Sequence, residues 1–453
     1  MKQLIDENLI NEVKGLIGED KKWSLIKILD EMRPADVADL VEHLDAEERI
    51  FIFELLEPEG AGDVLIEIEG PFQESILSDL DNEALSEIVQ ELDSDDAADI
   101  VGDLPEDRAR EIIETLEDDV SEELEKLLPY PEDTAGGIMA LEYVAVLETS
   151  TIQEAIDTIR AKREEVENVY YVYVIDDRER LVGVLSLKDL VLEPPDRTVR
   201  DIMNPEVISV DLSKDQEEVA QLVKKYDLVN IPVVDKEQRL VGRITHDDII
   251  DVIEDEVDED IAIMAGVLPQ EIAEDSPLRI SRARLPWLIG GLLGGIIAAA
   301  VIHQFESSLE KIIALAFFFP VIMAMGGSTG TQAATIIVRG MATGDISLVN
   351  IGRRLWVEMR VALVNGMICG ILLGVIVTFW ISDPGLGATV ALALVVIVVN
   401  SGFIGAAAPL AFKKLKIDPA LATGPFVTTS NDILSLLIYL GFVTIFLKVI
   451  ARG

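Results

Sequence analysis

Cysteine and histidine are scarce in this chain, which has one cysteine, Cys369, and three histidines among 453 residues. Zinc, copper and iron sites depend on thiolate and imidazole ligands. His43, His246 and His303 are not spaced as ligands, and we assign none of them to a metal. A lone cysteine cannot form a disulfide within the chain. The sequence also has no nucleophile elbow, phosphate loop or histidine-centred triad, so we do not expect an enzyme.

Basic residues are scarce in the first 275 residues, which hold 76 of the 83 acidic residues but only 24 of the 37 basic ones. The resulting net charge of −52 repels nucleic acid and anionic lipid, and it attracts multivalent cations most strongly. A generally acidic, solvated surface is the alternative explanation. The opening segment MKQLIDENLINEV lacks the apolar core of a signal peptide. We therefore expect cations, and no nucleic acid, as partners.

Long apolar runs occur only after this acidic region. They predict five membrane spans in a lipid bilayer, at approximately 286–304, 312–338, 358–381, 387–411 and 426–448. Basic residues cluster before the first span, between the second and third, and between the fourth and fifth. The positive-inside rule then predicts a cell-membrane protein whose N-terminal region is cytoplasmic and whose C-terminus is outside.

Two polar interruptions break these apolar runs. Asp432 lies inside Phe426–Phe446, where a charge costs several kcal/mol unless water, a partner or a cation compensates it. A second polar stretch, Gly326–Gln332, interrupts Ile312–Val338. The alternative for Asp432 is a structural ion pair, but no basic residue lies near mid-span. The predicted ion path comprises Asp432, Asn431, Gly326, Ser328, Thr331 and Gln332.

The ligand chemistry of this path favours a hard divalent cation. Mg²⁺ prefers oxygen ligands and keeps several waters, so a carboxylate in a wet pore can select it, although Mn²⁺, Co²⁺ and Ca²⁺ stay open. In a two-fold homodimer, Asp432 would occur twice and match the charge of one such ion. Glycines at helix-packing spacing, among them Gly290/Gly294 and Gly366/Gly370/Gly374, support close helix packing and a dimer with its pore lined by the second and fifth spans.

A repeat of twelve residues fills the first 130 positions. Apolar residues recur from Leu40 to Leu116, and acidic or proline-containing turns separate them, as at Asp45, Asp81, Asp93 and Pro105. Each unit predicts one short helix whose start is capped by a carboxylate. Because a short helix cannot bury its apolar stripe alone, the units should stack into an all-α superhelical solenoid.

A longer repeat follows with an offset of 59 residues: Tyr170–Asp176 matches Val229–Asp235, and Gly183–Asp189 matches Gly242–Asp248. Each copy predicts an α/β module, and the pair resembles tandem cystathionine-β-synthase (CBS) domains, which often bind adenine nucleotides. That resemblance implies an ATP site involving Thr245, Asp248, Tyr171 and Asp189. The alternative is that Ser186, Thr245 and the two aspartates only cap the following helices.

The order of solenoid, CBS pair and five spans resembles the MgtE family of magnesium channels along the whole chain. The strongest matches are Pro320–Thr335, Ile417–Ala420 and Gly424–Asp432, although members often have Asn where this chain has Ser328 and Thr331. The resemblance adds Pro320 to the pore residues. It implies an acidic helical domain at 1–132, CBS domains at 133–199 and 200–258, a connecting plug helix at 259–280 and a pore domain at 281–453.

The same resemblance implies a channel for Mg²⁺ uptake that intracellular Mg²⁺ closes by bridging carboxylates, with ATP as a modulator. An alternating-access carrier for Mg²⁺, Co²⁺ or Mn²⁺, and a CBS-regulated membrane scaffold or receptor, are the alternatives. The acidic run Asp247–Asp260 supports such a sensor, although a solvated face would look the same. The implied metal ligands are Asp432, Asp63, Asp95, Glu217, Asp227, Asp248, Asp251, Glu256, Glu259, Asp260 and Asp418.

Overall fold

The computed structural model describes residues 7–68, 70–163, 166, 168–267, 277–342, 346 and 351–450. The chain forms two compact units, Met1–Glu254 and Asp255–Gly453, and each is described by itself. The predicted fold class, a helical N-terminal domain followed by a CBS pair and five apolar helices, is confirmed.

The first unit opens with ten helices, of which α3 to α10 each have eight to ten residues. Their order is α1 (Glu7–Gly18), α2 (Lys22–Leu29), α3 (Pro34–Glu42), α4 (Ala46–Phe53), α5 (Pro58–Ile66), α6 (Gly70–Asp79), α7 (Asn82–Val89), α8 (Ser94–Gly102), α9 (Glu106–Ile113) and α10 (Asp118–Leu127). The twelve-residue repeat therefore folds as predicted. Helices α3, α5, α7 and α9 pack successively on one another, and α4 on α6 and α8 on α10 do the same, so alternate helices form two stacked layers.

The predicted caps are present at two of the four turns. Asp45 forms a capping box with Glu48, and the Asp81 carboxylate accepts a hydrogen bond from the Ala84 amide at 2.8 Å. Asp93 begins α8 without a side-chain cap bond, and Pro105 begins α9 in the same way.

Two three-stranded sheets follow, one in each CBS domain. The first pairs β1 (Ala145–Leu147) parallel to β2 (Tyr171–Ile175), which pairs antiparallel to β3 (Leu181–Ser186). The second repeats this order with β4 (Val210–Asp211), β5 (Ile231–Val234) and β6 (Leu240–Ile244). Helices α11 (Ile152–Ala161), α12 (Leu187–Leu192) and α13 (Gln216–Tyr226) complete the pair. The sequence repeat is thus a structural repeat.

Helix α14 (His246–Ala265) carries the acidic run and continues from the first unit into the second. Its last turn packs in the second unit, where Ile263 and Met264 contact an apolar cluster that includes Ile337 and Ala420. The predicted plug segment therefore begins as helix, and its part at 268–276 lies outside the described residues.

Five helices of the second unit are long and apolar enough to cross a membrane. They are α15 (Pro277–Gln304), α17 (Phe319–Ala342), which the 3₁₀ turn Ile313–Phe318 precedes, α18 (Ile351–Ile381), α19 (Pro384–Lys414) and α20 (Pro425–Ile450), with the short α16 (Glu306–Leu309) after the first. Helix α18 packs along α19, while α20 contacts α15, α17 and α19.

Glycines allow neighbouring membrane helices to pack at short backbone-to-backbone distances. A methyl group at Gly370 would lie 2.8 Å from the Ala391 carbonyl oxygen, and one at Gly374 would lie 2.9 Å from the Gly387 carbonyl oxygen, so the third-span glycines form the packing face that their spacing predicts. In α15, Gly294 packs tightly against Thr429, but Gly290 and Gly295 face open space. The glycine pattern of the first span therefore predicts only part of its packing.

Candidate functional site

A cavity of about 830 Å³ lies between α17 and α20 in the membrane unit. Its lining is mainly polar or small: Met323, Ala324, Gly327, Ser328, Thr331, Gln332, Thr335, Ile336, Thr428 and Asp432. The two helices place these groups together because Thr428 and Asp432 are one turn apart on α20, and the polar residues of α17 share one face.

Asp432 is the carboxylate among these lining residues. Gly327 of α17 faces this carboxylate, since a methyl group at Gly327 would lie 4.0 Å from Asp432 Oδ1. Hydroxyl and amide oxygens of Ser328, Thr331 and Gln332 border the same space. A negative charge among neutral oxygen donors is an arrangement that attracts a hydrated cation without stripping it.

The structure separates the predicted pore residues into two groups. Asp432, Ser328, Thr331 and Gln332 line the cavity, whereas Gly326, Asn431 and Pro320 are not among its lining residues. Asn431 is fully buried, and Gly326 lies against Ser435. Sequence reasoning did not name Thr428 or Thr335 as pore residues, although Thr428 is spaced one helical turn from Asp432.

A second acidic site lies in the first unit, where α8 begins. We call Asp93, Asp95, Asp96, Glu142 and Asp248 the acid cluster. Carboxylate oxygens of Asp93, Asp95 and Glu142 lie within 4.8 Å of one another. Asp248 is close enough to Asp95 and Asp96 to raise the pKa of each.

Fixed hydrogen bonds hold the acid cluster in place. The Ser94 hydroxyl donates to Glu142 Oε2 at 2.8 Å and accepts from the Leu141 amide at 2.8 Å. On the other side, Asp248 Oδ2 accepts from the Thr245 amide at 2.9 Å and from the Thr245 hydroxyl at 2.6 Å. The cluster therefore joins the helical domain to both the connector before the first CBS domain and the last CBS helix.

Crowding and burial shift the ionisation of these carboxylates. Burial raises the pKa of Asp95 well above its usual range, with the Asp248 charge as the second cause. The same two causes, in the same order, raise the pKa of Asp96 to about 8. Burial also raises the pKa of Glu142 and of Asp248. A divalent cation bound here would relieve this repulsion, because carboxylate oxygens are the ligands that Mg²⁺ and Ca²⁺ prefer.

Of the predicted regulatory ligands, the structure brings Asp95 and Asp248 together. Asp63 lies on α5, where burial and Glu59 raise its pKa, and Glu217 accepts a hydrogen bond from Gln221. Asp227 ends α13 in a left-handed conformation. The Asp418 carboxylate accepts from the Ala420 amide at 2.7 Å in the membrane unit. The remaining predicted ligands, Asp251, Glu256, Glu259 and Asp260, lie along α14.

Helix capping accounts for the hydroxyls and aspartates of the predicted nucleotide site. Ser186 and Asp189 form a capping box at α12, and Thr245 and Asp248 are hydrogen-bonded at the start of α14. Tyr171 begins β2 and is partly buried. A nucleotide at these residues stays a prediction.

A multi-helix membrane unit with a carboxylate in a polar cavity, joined to a soluble unit with an acid cluster, defines a regulated cation-transport protein. Three family models match the chain: the divalent cation transporter model MgtE at residues 319–442, the MgtE intracellular N domain at 32–133, and the CBS domain at 135–195 and 199–255.

Curated relatives cover most of the chain. The magnesium transporter MgtE of Bacillus subtilis is 35% identical over 442 residues, which are 97% of this chain and 98% of that protein. The magnesium transporter MgtE of Thermus thermophilus is 42% identical over 330 residues, 72% of this chain and 73% of that protein. The chain belongs to the MgtE family, as its resemblance predicts.

Solved structures match the soluble unit. The soluble part of a magnesium transporter is 30% identical with a TM-score of 0.50, over 55% of this chain and 98% of that chain. The cytosolic domain of the Mg²⁺ channel MgtE in complex with ATP is 38% identical with a TM-score of 0.51, over 54% of this chain and 100% of that chain.

Proposed function

We propose that this protein is a magnesium channel of the cell membrane, in which Mg²⁺ passes the cavity that Asp432 borders. The single observation that carries this proposal is a carboxylate placed among hydroxyl and amide oxygens between two membrane helices. One carboxylate per chain attracts a divalent ion but holds it weakly enough to let it leave, which conduction requires. The names of the relatives support Mg²⁺ as the transported ion.

The cavity is incomplete in one chain, since the exposed face of α17 carries Ser328, Thr331 and Gln332. A second copy related by a two-fold axis would close it and bring two Asp432 carboxylates to one ion. The unit of function is therefore a homodimer with the pore on its axis. In this proposal the N-terminal unit is cytoplasmic, and five spans would then leave the C-terminus outside, as the positive-inside rule predicts.

The acid cluster supplies the regulation. When cytoplasmic Mg²⁺ is abundant, it binds Asp95, Asp248 and their neighbours, together with the other predicted carboxylates, and stabilises the closed state. When Mg²⁺ is scarce, the carboxylates repel one another and the soluble parts separate. ATP in the CBS pair, at Thr245, Asp248, Tyr171 and Asp189, modulates this response. The ATP complex of a relative's cytosolic domain supports that role.

The test replaces Asp432 by Asn, which keeps the size of the side chain and removes its charge. Purified full-length protein in liposomes should lose Mg²⁺ flux by about tenfold or more and lose selectivity for divalent over monovalent cations, while still assembling as a dimer. The matched control is Asp383→Asn at the start of α19. Asp383 caps that helix by accepting from the Gly385 and Leu386 amides, a task that Asn also performs. Full Mg²⁺ flux through Asp432→Asn would refute the proposed path.

A further inference from the structure

Behind the cavity, three polar side chains of the membrane unit are buried without hydrogen-bond partners. They are Ser401 of α19 and Asn431 and Ser435 of α20, each no more than 1% exposed. The Ser401 and Ser435 hydroxyl oxygens and both amide atoms of Asn431 are fully enclosed and unpaired. Buried polar atoms are nearly always paired, so a cluster of unpaired ones in a membrane domain requires an explanation.

The α20 pair, Asn431 and Ser435, is tightly packed against α17. A methyl group at Gly330 would overlap the Asn431 amide nitrogen, and one at Gly326 would overlap the Ser435 hydroxyl. Such close approach leaves no space at these contacts for a water that would pair the groups. Apolar side chains of the same size would pack there without the loss of hydrogen bonds, which makes the polar identity costly in this conformation.

The glycines that contact Asn431 and Ser435 and the residues that border the cavity lie on adjacent faces of α17. Gly330 faces Asn431, and Gly326 faces Ser435. On the neighbouring face of α17, the cavity is bordered by Gly327, Ser328 and Thr331. On α20, Asn431 is about 100° around the helix from Asp432. Because α17 has glycine at both contacts, it presents no side chain there that interlocks with α20.

We propose that Asn431 and Ser435 are a second polar row of the ion pathway, which joins the pore wall when α17 and α20 move apart in the conducting conformation. This inference rests on the proposed function, and it adds two oxygen-bearing positions that do not line the cavity in this structure. Their chemistry matches that of Ser328 and Gln332, since hydroxyl and amide oxygens can solvate a hydrated cation. The cost of burying them unpaired is then relieved when the pore opens.

The experiment measures the accessibility of single cysteines in full-length protein in liposomes. Cys369, the only native cysteine, is first replaced by Ala. Asn431→Cys and Ser435→Cys are then exposed to a small cationic methanethiosulfonate at low and at high cytoplasmic Mg²⁺. Thr428→Cys, which lines the cavity, is the positive control, and Ala393→Cys, buried in an apolar part of α19, is the negative control.

We expect both α20 variants to react at low Mg²⁺ at least about tenfold faster than at high Mg²⁺, and their modification to reduce flux, as an opening of the α17–α20 contact requires. The inference would be overturned if both α20 variants react as slowly as Ala393→Cys at every Mg²⁺ concentration while Thr428→Cys reacts and blocks flux. The proposed function would still stand in that case. An unreactive Thr428→Cys would refute the proposed path and this inference together.

A second variant, Ser435→Ala, tests the inference even if a cysteine at position 431 prevents folding. Ser435→Ala removes one unpaired hydroxyl, so the closed protein should be at least as stable in detergent as the unmodified chain. If Ser435 lines the conducting pore, maximal flux at low Mg²⁺ should fall by about twofold or more, because one set of oxygen ligands is lost. Unchanged maximal flux in Ser435→Ala would contradict the inference.

Discussion

The cavity of the membrane unit and the acid cluster of the soluble unit place their carboxylates in opposite surroundings: single in one, crowded in the other. In the membrane unit, Asp432 is the one carboxylate that lines the described cavity, and its neighbours there are hydroxyls, an amide and apolar groups. In the soluble unit, Asp93, Asp95 and Glu142 crowd within 4.8 Å, with Asp96 and Asp248 beside them. The soluble unit thus groups several carboxylates, whereas one carboxylate lines the described cavity of the membrane unit.

This difference follows from how affinity scales with charge. More carboxylate ligands bind a divalent cation more tightly, whereas a conducting site must release its ion quickly. The separation of the two sites into different units also allows each to be altered alone. The predictions below use matched substitutions to test whether the two units are independent in this sense.

The largest effect is expected when the acid cluster loses a charge. Asp95→Asn should raise the cytoplasmic Mg²⁺ concentration for half-maximal inhibition of flux by roughly tenfold, which corresponds to about 1.4 kcal/mol of lost binding. Maximal flux at low Mg²⁺ should not change, because the cavity is untouched. Asp39→Asn, on the exposed surface of α3, is the control. An Asp95→Asn channel with an unshifted inhibition curve would remove the acid cluster from the sensor.

An effect of similar size, confined to the membrane unit, is expected from adding a methyl group between helices. At Gly405 the methyl would overlap the backbone carbonyl of Gly330, which cannot move aside alone. Gly405→Ala should therefore destabilise the membrane unit by about 1–3 kcal/mol. Gly295→Ala enters open space and should be neutral or stabilising by up to about 1 kcal/mol through helix propensity. Thermal unfolding in detergent compares the two, and equal midpoints would contradict the packing described here.

The stability of the soluble unit should depend on pH. The pKa of Asp96 is raised to about 8 in the folded protein, against an ordinary value of about 3.9 in an unfolded chain. The folded state therefore holds a proton that the unfolded state has released. The stabilising contribution is complete below about pH 4 and is lost as the pH rises toward 8.

In the absence of Mg²⁺, protease resistance of the soluble unit should fall between pH 6 and pH 9, and Asp96→Asn should reduce that fall. Millimolar Mg²⁺ should oppose it, since the cation replaces the protons as the neutralising charge. A soluble unit whose resistance is the same at pH 6 and pH 9 would show that these carboxylates do not repel one another in the folded state.

The smallest effect separates a capping aspartate from an aspartate of the acid cluster. Asp81→Ala removes the hydrogen bond to the Ala84 amide and should cost about 1 kcal/mol. Asp93→Ala removes no side-chain cap bond of α8, so its cost should be smaller than that of Asp81→Ala. Pulse proteolysis in urea measures both variants. A larger loss for Asp93→Ala than for Asp81→Ala would reverse the roles assigned to them.

The periodicity and hydropathy of the sequence were sufficient to predict the architecture. The twelve-residue repeat, the offset of 59 residues and the apolar runs each depend on local patterns that the folded chain retains, as the capped helices at Asp45 and Asp81 show. The membrane helices extend beyond the predicted spans because polar and basic residues such as Arg279 and Arg282 continue α15 past its apolar part.

The details of both sites could not be predicted from the sequence and are visible only in the structure. Glu142 lies in a connector, 48 residues from its partner Ser94, and no local pattern marks that contact. On α20, Thr428 to Asp432 are all polar, so the sequence alone does not tell which of them face the cavity. Asn431 was therefore placed with Asp432, although one step along a helix rotates the side chain by about 100°.

The two-layer stacking of the short helices has a mechanical consequence. A helix of eight to ten residues is too short to be stable alone, and here each is held chiefly by its second neighbours along the chain. Loss of one helix therefore removes support from the helices two positions before and after it, and stability is lost in blocks. The acid cluster begins at α8, which packs on α10 at the end of the stack. Loss of α10 should therefore weaken α8 and, with it, the acid cluster that begins there.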